Sequence, residues 1–405
     1  MPKRIDLEKL GKRGFVIEGA TDGDEAFKIA AAGDVNGDGL DDILIGAPGA
    51  HLDDRGFFAQ NGKAYLVYGK KDARSVHLSD LNGSFPSGLG FRIDGPYYRA
   101  RAGQAVAGLG DINGDGLADL AVAGPFGGSV YVVFGKRDPL PVDLSLFEAN
   151  AQGPLGYRIG TPTVESSALM SVAGAGDVNG DGVPDIVIGV IPDYGSAGAT
   201  YVVWGKADPL PVDARALGDA GFRIDGPNGG SLAGQVVAGA GDVNGDGLGD
   251  VVIGSPAICC AHRSAYVIFG KPDPGTVRLG RLGRDGFEIR GAEYSDFVGI
   301  AVAGVGDIDG DGLDDVLVGA PSVRVGGRRG AGAAYVIYGK RNSKRVHLGS
   351  LGPSGYRIAG SREFGFVGNY VAGVGDIDGN GVPDFLVGAP DFARAPRAFL
   401  VWGRR

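Results

Sequence analysis

A nine-residue loop of Asp, Asn and Gly returns six times along 405 residues. Each copy follows a small apolar run ending in Gly and leads into a β-branched run. No stretch carries a sustained 3.6-residue apolar period, so helices are not expected. These observations predict an all-β fold: a six-bladed β-propeller of four-stranded antiparallel blades, its ring closed by the N-terminal strand joining the last blade. Length alone suggests two or three domains. Repeat architectures form one body of any length, so 1–405 reads as a single domain.

Within each repeat the first strand precedes the loop, at 27–33, 105–110, 172–176, 236–241, 300–306 and 370–375. The second leaves the loop's last Asp, at 43–48, 120–125, 186–191, 251–256, 316–321 and 385–390. The third is the most regular, at 64–69, 130–135, 200–205, 265–270, 334–339 and 398–403. A Pro/Asp/Lys-bearing connection then leads to a fourth strand of Gly-aromatic-x-Ile type at 90–95, 156–160, 221–226, 286–291 and 355–360. The missing sixth copy stands at the other end of the chain, as Gly-Phe-Val-Ile-Glu-Gly at 14–19. The chain ends after a third strand. Residues from about 5 to 19 are therefore expected to complete the last blade and remove its exposed edge. The loops start 77, 66, 65, 65 and 69 residues apart, which suits one four-stranded blade each.

Oxygen-bearing side chains stand at loop positions 1, 3, 5 and 9, with Gly at position 6. Such a set suits a hard cation like calcium, which takes about 6–8 oxygen ligands, one of them a backbone carbonyl near position 7. The first loop offers Asp34, Asn36, Asp38, Leu40 and Asp42, and the second Asp111, Asn113, Asp115, Leu117 and Asp119. The third offers Asp177, Asn179, Asp181, Val183 and Asp185, and the fourth Asp242, Asn244, Asp246, Leu248 and Asp250. The fifth offers Asp307, Asp309, Asp311, Leu313 and Asp315, and the sixth Asp376, Asp378, Asn380, Val382 and Asp384. An EF-hand loop would end in Glu at position 12, where this chain has Ile45 and Val122 inside apolar runs. The ninth-position Asp must close the site instead. A single Asp-rich loop would read as an ordinary turn, but six copies with the same flanks point to Ca2+, up to six ions, one per blade.

The formal charge of −9 is concentrated in these loops. They hold nineteen carboxylates at ligand positions, and six calcium ions would turn the net charge positive. The acidity therefore does not call for a basic partner, and no Lys/Arg block of nucleic-acid type occurs. Cys259 and Cys260 are adjacent and build no disulfide framework; they are either a strained vicinal disulfide or free thiols. The N-terminal stretch MPKRIDLEKLGKRGF has no apolar core, so no signal peptide is read. No apolar run approaches about 18 residues, so no membrane span is expected. An extracellular or cell-surface location follows from calcium alone, because such sites fill at millimolar levels.

The Gly-Ala-Pro triplets at 46–48, 319–321 and 388–390 follow DxNxDGxxD-type loops and precede AYVVFG-like strands. With the Gly-Phe-x-Ile-x-Gly strands, the chain resembles the FG-GAP repeats of the integrin α-chain β-propeller and related bacterial repeat proteins. In that family cation loops stabilise one face, while ligands and partners bind the other. The integrin propeller has seven blades, only some of which bind cations; six repeats are counted here and all six loops look competent. No inserted A-type domain interrupts the blades.

Strand alternation puts the acidic loops and the third-to-fourth connections on one face. The other face carries the less repetitive connections, where binding residues tend to sit. Its candidates are Asp53, Arg55, Phe57, Phe58, Tyr97, Tyr98, Arg99, Arg101, Tyr194, Tyr294, Arg328, Arg329, Phe364 and Phe392. Aromatics beside arginines suit a protein or glycan ligand; solvated loops folded onto the rim are the bland alternative. The paired aromatics of the third strands, such as Tyr65 and Tyr68, read as inter-blade packing, and His77 and His347 as framework residues. The expected function is a calcium-stabilised, monomeric binding or adhesion module. The alternatives are an enzyme domain of phospholipase or polysaccharide-cleaving type, since related propellers accompany such enzymes, and a purely structural scaffold. No Gly-x-Ser-x-Gly elbow or His-Glu-x-x-His occurs, which argues against an enzyme.

Overall fold

The computed structural model describes residues 14–21, 23–26, 28–50, 61–83, 88–97, 99–124, 128–148, 155–162, 169–257, 263–390 and 396–404. Asp53, Arg55, Phe57, Phe58, Tyr98, Phe392, Cys259, Cys260, His51 and His262 lie outside the described residues. The fold is all-β, as expected. Two compact units are present, Met1–Gly160 with Ala207–Val212, and Thr161–Lys206 with Asp213–Arg405.

The same antiparallel sheet recurs in both units. In the first unit Lys28–Gly33, Asp42–Ala47, Lys63–Val67 and Gly90–Asp94 pair in chain order. The next sheet repeats the pattern with Ala105–Gly110, Asp119–Gly124, Ser129–Val133 and Gly156–Gly160. Among the described residues the second unit holds four further sheets, which begin at Leu169–Gly176, Val236–Gly241, Val302–Gly306 and Tyr370–Gly375. Each second strand starts on the ninth-position Asp itself, for example Asp250–Ser255. Outside the last sheet the second and third strands are almost continuously buried, as in Asp250–Ser255 and Ser264–Ile268, which explains their unbroken apolar sequence.

One element was not expected. Two-residue strands, Val142–Asp143, Val277–Arg278 and Val346–His347, add in parallel to the fourth strand of the sheet before them. The N-terminal strand follows this rule: Ile17–Glu18 pairs in parallel with Val76–His77. His77 thus belongs to the framework, with its Nδ1 3.1 Å from Glu18 Oε2. Residues 17–18 thus take the same kind of partner as the fourth strands of the other sheets. Among the described residues the last sheet has three strands, and Arg397–Val401 pairs with Asp384–Ala389 alone. The pairing beside Val76 packs Phe15 and Ile17, both part-buried, against Ile45, Tyr65 and Leu78.

The cores form between successive sheets. Phe91 and Ile93 of one sheet pack with Tyr131 and Val133 of the next, and Phe287 and Ile289 pack with Tyr335 and Ile337. The first third-strand aromatics Tyr131, Tyr266 and Tyr335 therefore do pack between sheets. The second also meets the fourth-strand aromatic of its own sheet: Phe134 meets Tyr157 edge-on at 5.9 Å, and Tyr338 meets Tyr356 at 6.2 Å. Glycines let the sheets approach. A Cβ on Gly254 would lie 2.1 Å from the Gly299 carbonyl oxygen.

Candidate functional site

Each acidic loop joins the first strand to the second and closes on itself through its own carboxylates. The first-position Asp accepts the N–H of positions 4 and 5 on one oxygen and of position 6 on the other. For Asp34 these donors are Gly37 at 2.7 Å, Asp38 at 3.0 Å and Gly39 at 2.8 Å. Asp177 and Asp242 repeat the set. The position 5 side chain accepts the N–H of position 7, as Asp115 does from Leu117 at 2.9 Å. These are Asx turns laid end to end, the local reason that Asp and Asn recur at alternate positions. Glycine is needed at position 6, where Gly39 has φ +84°.

The ninth-position Asp closes the loop and ties it to the third strand. Asp250 Oδ2 accepts Val243 N–H at 2.8 Å and its Oδ1 accepts Gly270 N–H at 2.7 Å. The same two bonds are made by Asp42, Asp119, Asp185, Asp315 and Asp384. All six of these carboxylates are buried. Burial drives the pKa of Asp42 up to about 6, and those of Asp119, Asp185, Asp250 and Asp315 to about 7, against the pull of the two N–H donors. The neighbouring acids of the same loop push in the same direction.

The donor set is chemically suited to a hard cation. Carboxylate oxygens of Asp307, Asp309 and Asp315 lie within 4.8 Å of one another, as do those of Asp376, Asp378 and Asp384. One ion with bonds of about 2.3–2.6 Å spans such a cluster. In the first four loops an Asn replaces the third-position Asp; Asn36 Oδ1 accepts Asp38 N–H at 2.8 Å, and its Nδ2 donates to Asp38 Oδ2 at 3.0 Å. The seventh-position residues Leu40, Leu117, Val183, Leu248, Leu313 and Val382 offer only their carbonyl oxygens.

The third-strand exits lie at the loop end of each sheet, as the Gly270–Asp250 bond shows. At the opposite end the second-to-third and fourth-to-first connections meet: Gly95 N–H donates to Gly62 O, and Ala102 N–H to Asn61 O. There Tyr97 is half-buried and Arg99 exposed, while Arg101 pairs with Glu25 at 2.6 Å. Arg99 and Arg101 both adopt left-handed backbone angles, φ 61° and 52°. In the second unit Arg328 and Arg329 are exposed, and Arg329 O accepts Phe364 N–H at 2.9 Å, which brings Phe364 beside them. Tyr194 stands on a separate turn, 56% exposed.

Sequence reasoning missed the residue that organises Tyr294. Arg263 is buried, lies 3.4 Å from the Phe297 ring centroid and 4.5 Å from that of Tyr294, and donates to Ala257 O and Tyr294 O. Burial lowers its pKa. Among the described residues a left-handed residue precedes an Ala-Gly or Val-Gly pair at Arg101, Leu232, Phe297 and Phe366, and the recurring Ala/Val-Gly pair is its trace in the sequence.

Residues 29–67 and 298–337 match the FG-GAP repeat, and residues 111–188 the FG-GAP-like repeat. The chain is similar to integrin alpha-PS2 of Drosophila melanogaster, 31% identical over 233 residues, which cover 53% of this chain and 14% of that protein. It is 32% identical to integrin alpha-4 of Xenopus laevis over 211 residues, 50% of this chain and 18% of the relative. For integrin alpha-IIb of Mus musculus the identity is 32% over 187 residues, 44% and 16% of the two chains. The chain thus spans less than a fifth of these relatives' length. Loops, strands and matches agree: the chain contains FG-GAP and FG-GAP-like repeats, with integrin-alpha-like features of the β-propeller repeat type.

Proposed function

We propose that the chain is a single six-bladed β-propeller, stabilised by Ca2+ with up to six ions, one per blade, that binds a protein or glycan ligand rather than catalysing a reaction. What carries the reading is the recurrence of one closed, all-oxygen loop at the same end of all six sheets. A loop that supplies nearly all ligands of an ion leaves few open positions, so the calcium is structural. The ligand face is the opposite one, where arginines and aromatics are exposed on strained connections. Arg55, Phe57, Phe58, Tyr97, Tyr98, Arg99, Arg101, Tyr194, Tyr294, Arg328 and Arg329 are its proposed contacts. Similarity to integrin alpha chains supports an adhesion-type, extracellular or cell-surface role. Among the described residues no helix is long and apolar enough to cross a membrane.

Closure of the ring by residues 14–19 belongs to the same proposal. Lys70 lies 4.6 Å over the Phe15 ring, as Lys136 lies over Phe91, Lys271 over Phe222 and Lys340 over Phe287. This likeness supports reading Phe15 as a fourth-strand aromatic. Isothermal titration of the calcium-stripped chain, followed by glycan and surface-protein arrays with and without calcium, tests the reading. Six or fewer equivalents and a calcium-dependent hit lost in Arg328→Ala/Arg329→Ala are expected. Absence of heat on titration, or a ligand lost only on changing loop residues, defeats it.

A further inference from the structure

Neighbouring acidic loops are joined through single peptide groups. The eighth-position N–H donates to the first-position carbonyl of the loop before it: Ala118 to Asp34 at 3.0 Å, Gly249 to Asp177 at 2.7 Å, and Asp314 to Asp242 at 3.0 Å. The carbonyl half of the same peptide group belongs to Leu117, Leu248 or Leu313, the expected backbone ligand of its own loop. A cation on that carbonyl polarises the amide and strengthens the bond to the preceding loop, as in any hydrogen-bonded chain. The fourth and fifth loops carry a second link. Asp314 Oδ2 accepts Asp242 N–H at 2.8 Å, so both backbone polar atoms of Asp242 are held by Asp314.

The sixth loop has the same packing without the proton. Its eighth residue is Pro383, which has no N–H. A Cβ on Gly306 would lie 2.8 Å from Pro383 Cγ, much as one on Gly33 would lie 2.8 Å from Ala118 Cβ. The fifth loop is the most acidic, with Asp at 307, 309, 311 and 315, and ligand charge raises calcium affinity.

Resting on the reading that these loops hold calcium, we propose that Asp314 couples the fourth and fifth sites: an ion captured in 307–315 orders 242–250 through Asp242, while 376–384 fills independently. Asp314 acts as a positioning residue and is not itself a ligand.

The test uses the full, calcium-stripped chain. Hydrogen–deuterium exchange during a calcium titration reads 242–250, 307–315 and 376–384 separately, and calorimetry counts the ions. Wild type should protect the first two segments at one calcium concentration and the third at another. Asp314→Pro, the residue type found at this position in the third and sixth loops, should keep the ion count and raise the 242–250 midpoint about fivefold. Pro383→Ala, which restores an N–H, should draw the 376–384 midpoint toward that of 307–315. An unmoved 242–250 midpoint with the ion count intact overturns the coupling alone. No ion bound by wild type overturns the cation reading beneath it. Should Asp314→Pro fail to fold, Pro383→Ala decides: a shifted midpoint supports the coupling and an unmoved one defeats it.

Discussion

The ninth-position aspartates are buried and accept two backbone N–H bonds each, and burial pushes Asp42 to a pKa of about 6 and Asp119, Asp185, Asp250 and Asp315 to about 7. Their structural role is therefore separable from any ligand role. Asp250→Asn replaces one acceptor by an NH2 group that faces a backbone donor. In excess EDTA this substitution should cost about 1–3 kcal/mol in urea unfolding, the range for an unsatisfied buried group; an unchanged midpoint would show that the two N–H bonds contribute nothing. A second residue-scale prediction concerns Lys340, whose Nζ lies 3.8 Å over the Phe287 ring. Burial lowers its pKa from 10.5 to about 8. The folded chain then binds fewer protons than the unfolded chain between those values, so this lysine makes stability rise with pH across that window. Lys340→Met should flatten the rise, as read from melting temperatures between pH 7.5 and about 10.5.

At the scale of elements, two kinds of glycine can be told apart. Gly254 is needed for close approach, since an added Cβ would meet Gly299 O at 2.1 Å, and backbone cannot swing aside. Gly182 is needed for conformation, with φ +87° and open space around it. Gly254→Ala should cost about 3 kcal/mol by overpacking, and Gly182→Ala about 1–2 kcal/mol by left-handed strain. Equal costs in chemical denaturation would contradict the distinction. The alternation of strands also fixes which end of a sheet carries the acidic loop and which carries Arg101, Phe297 and Phe366. Arg263 could not be found that way, because its partners Tyr294 and Phe297 lie more than thirty residues downstream.

For the whole molecule, calcium and the N-terminal strand make distinct predictions. Calcium at 100 times its dissociation constant should stabilise the fold by about 2.7 kcal/mol per coupled site, by mass action; a melting temperature indifferent to EDTA would remove the structural role of the ions. Among the described residues the last sheet leaves Tyr370, Phe399, Leu400 and Trp402 exposed, at 67, 42, 37 and 41%. Deleting residues 1–19 should therefore lower the melting temperature and promote self-association through that edge, measured by light scattering. A truncated chain that remains monomeric and equally stable would show that residues 14–19 do not cover it.

The loop motif, the strand order within each repeat and the all-β class were legible from the sequence, because each rests on contacts within a few residues: Asx turns, period-2 strands and a glycine at position 6. The third-strand aromatics showed that packing was repetitive, but not that Tyr131 faces the neighbouring sheet and Phe134 meets Tyr157 of its own. Position 8 gave no signal, since Asp41, Ala118, Pro184, Gly249, Asp314 and Pro383 share no chemistry. Only the folded chain brings Asp314 to Asp242, 72 residues away, and places Ile17 beside Val76. Local hydrogen bonding wrote the repeat into the sequence; the links between repeats depend on sheet-to-sheet distance, which tertiary packing alone decides.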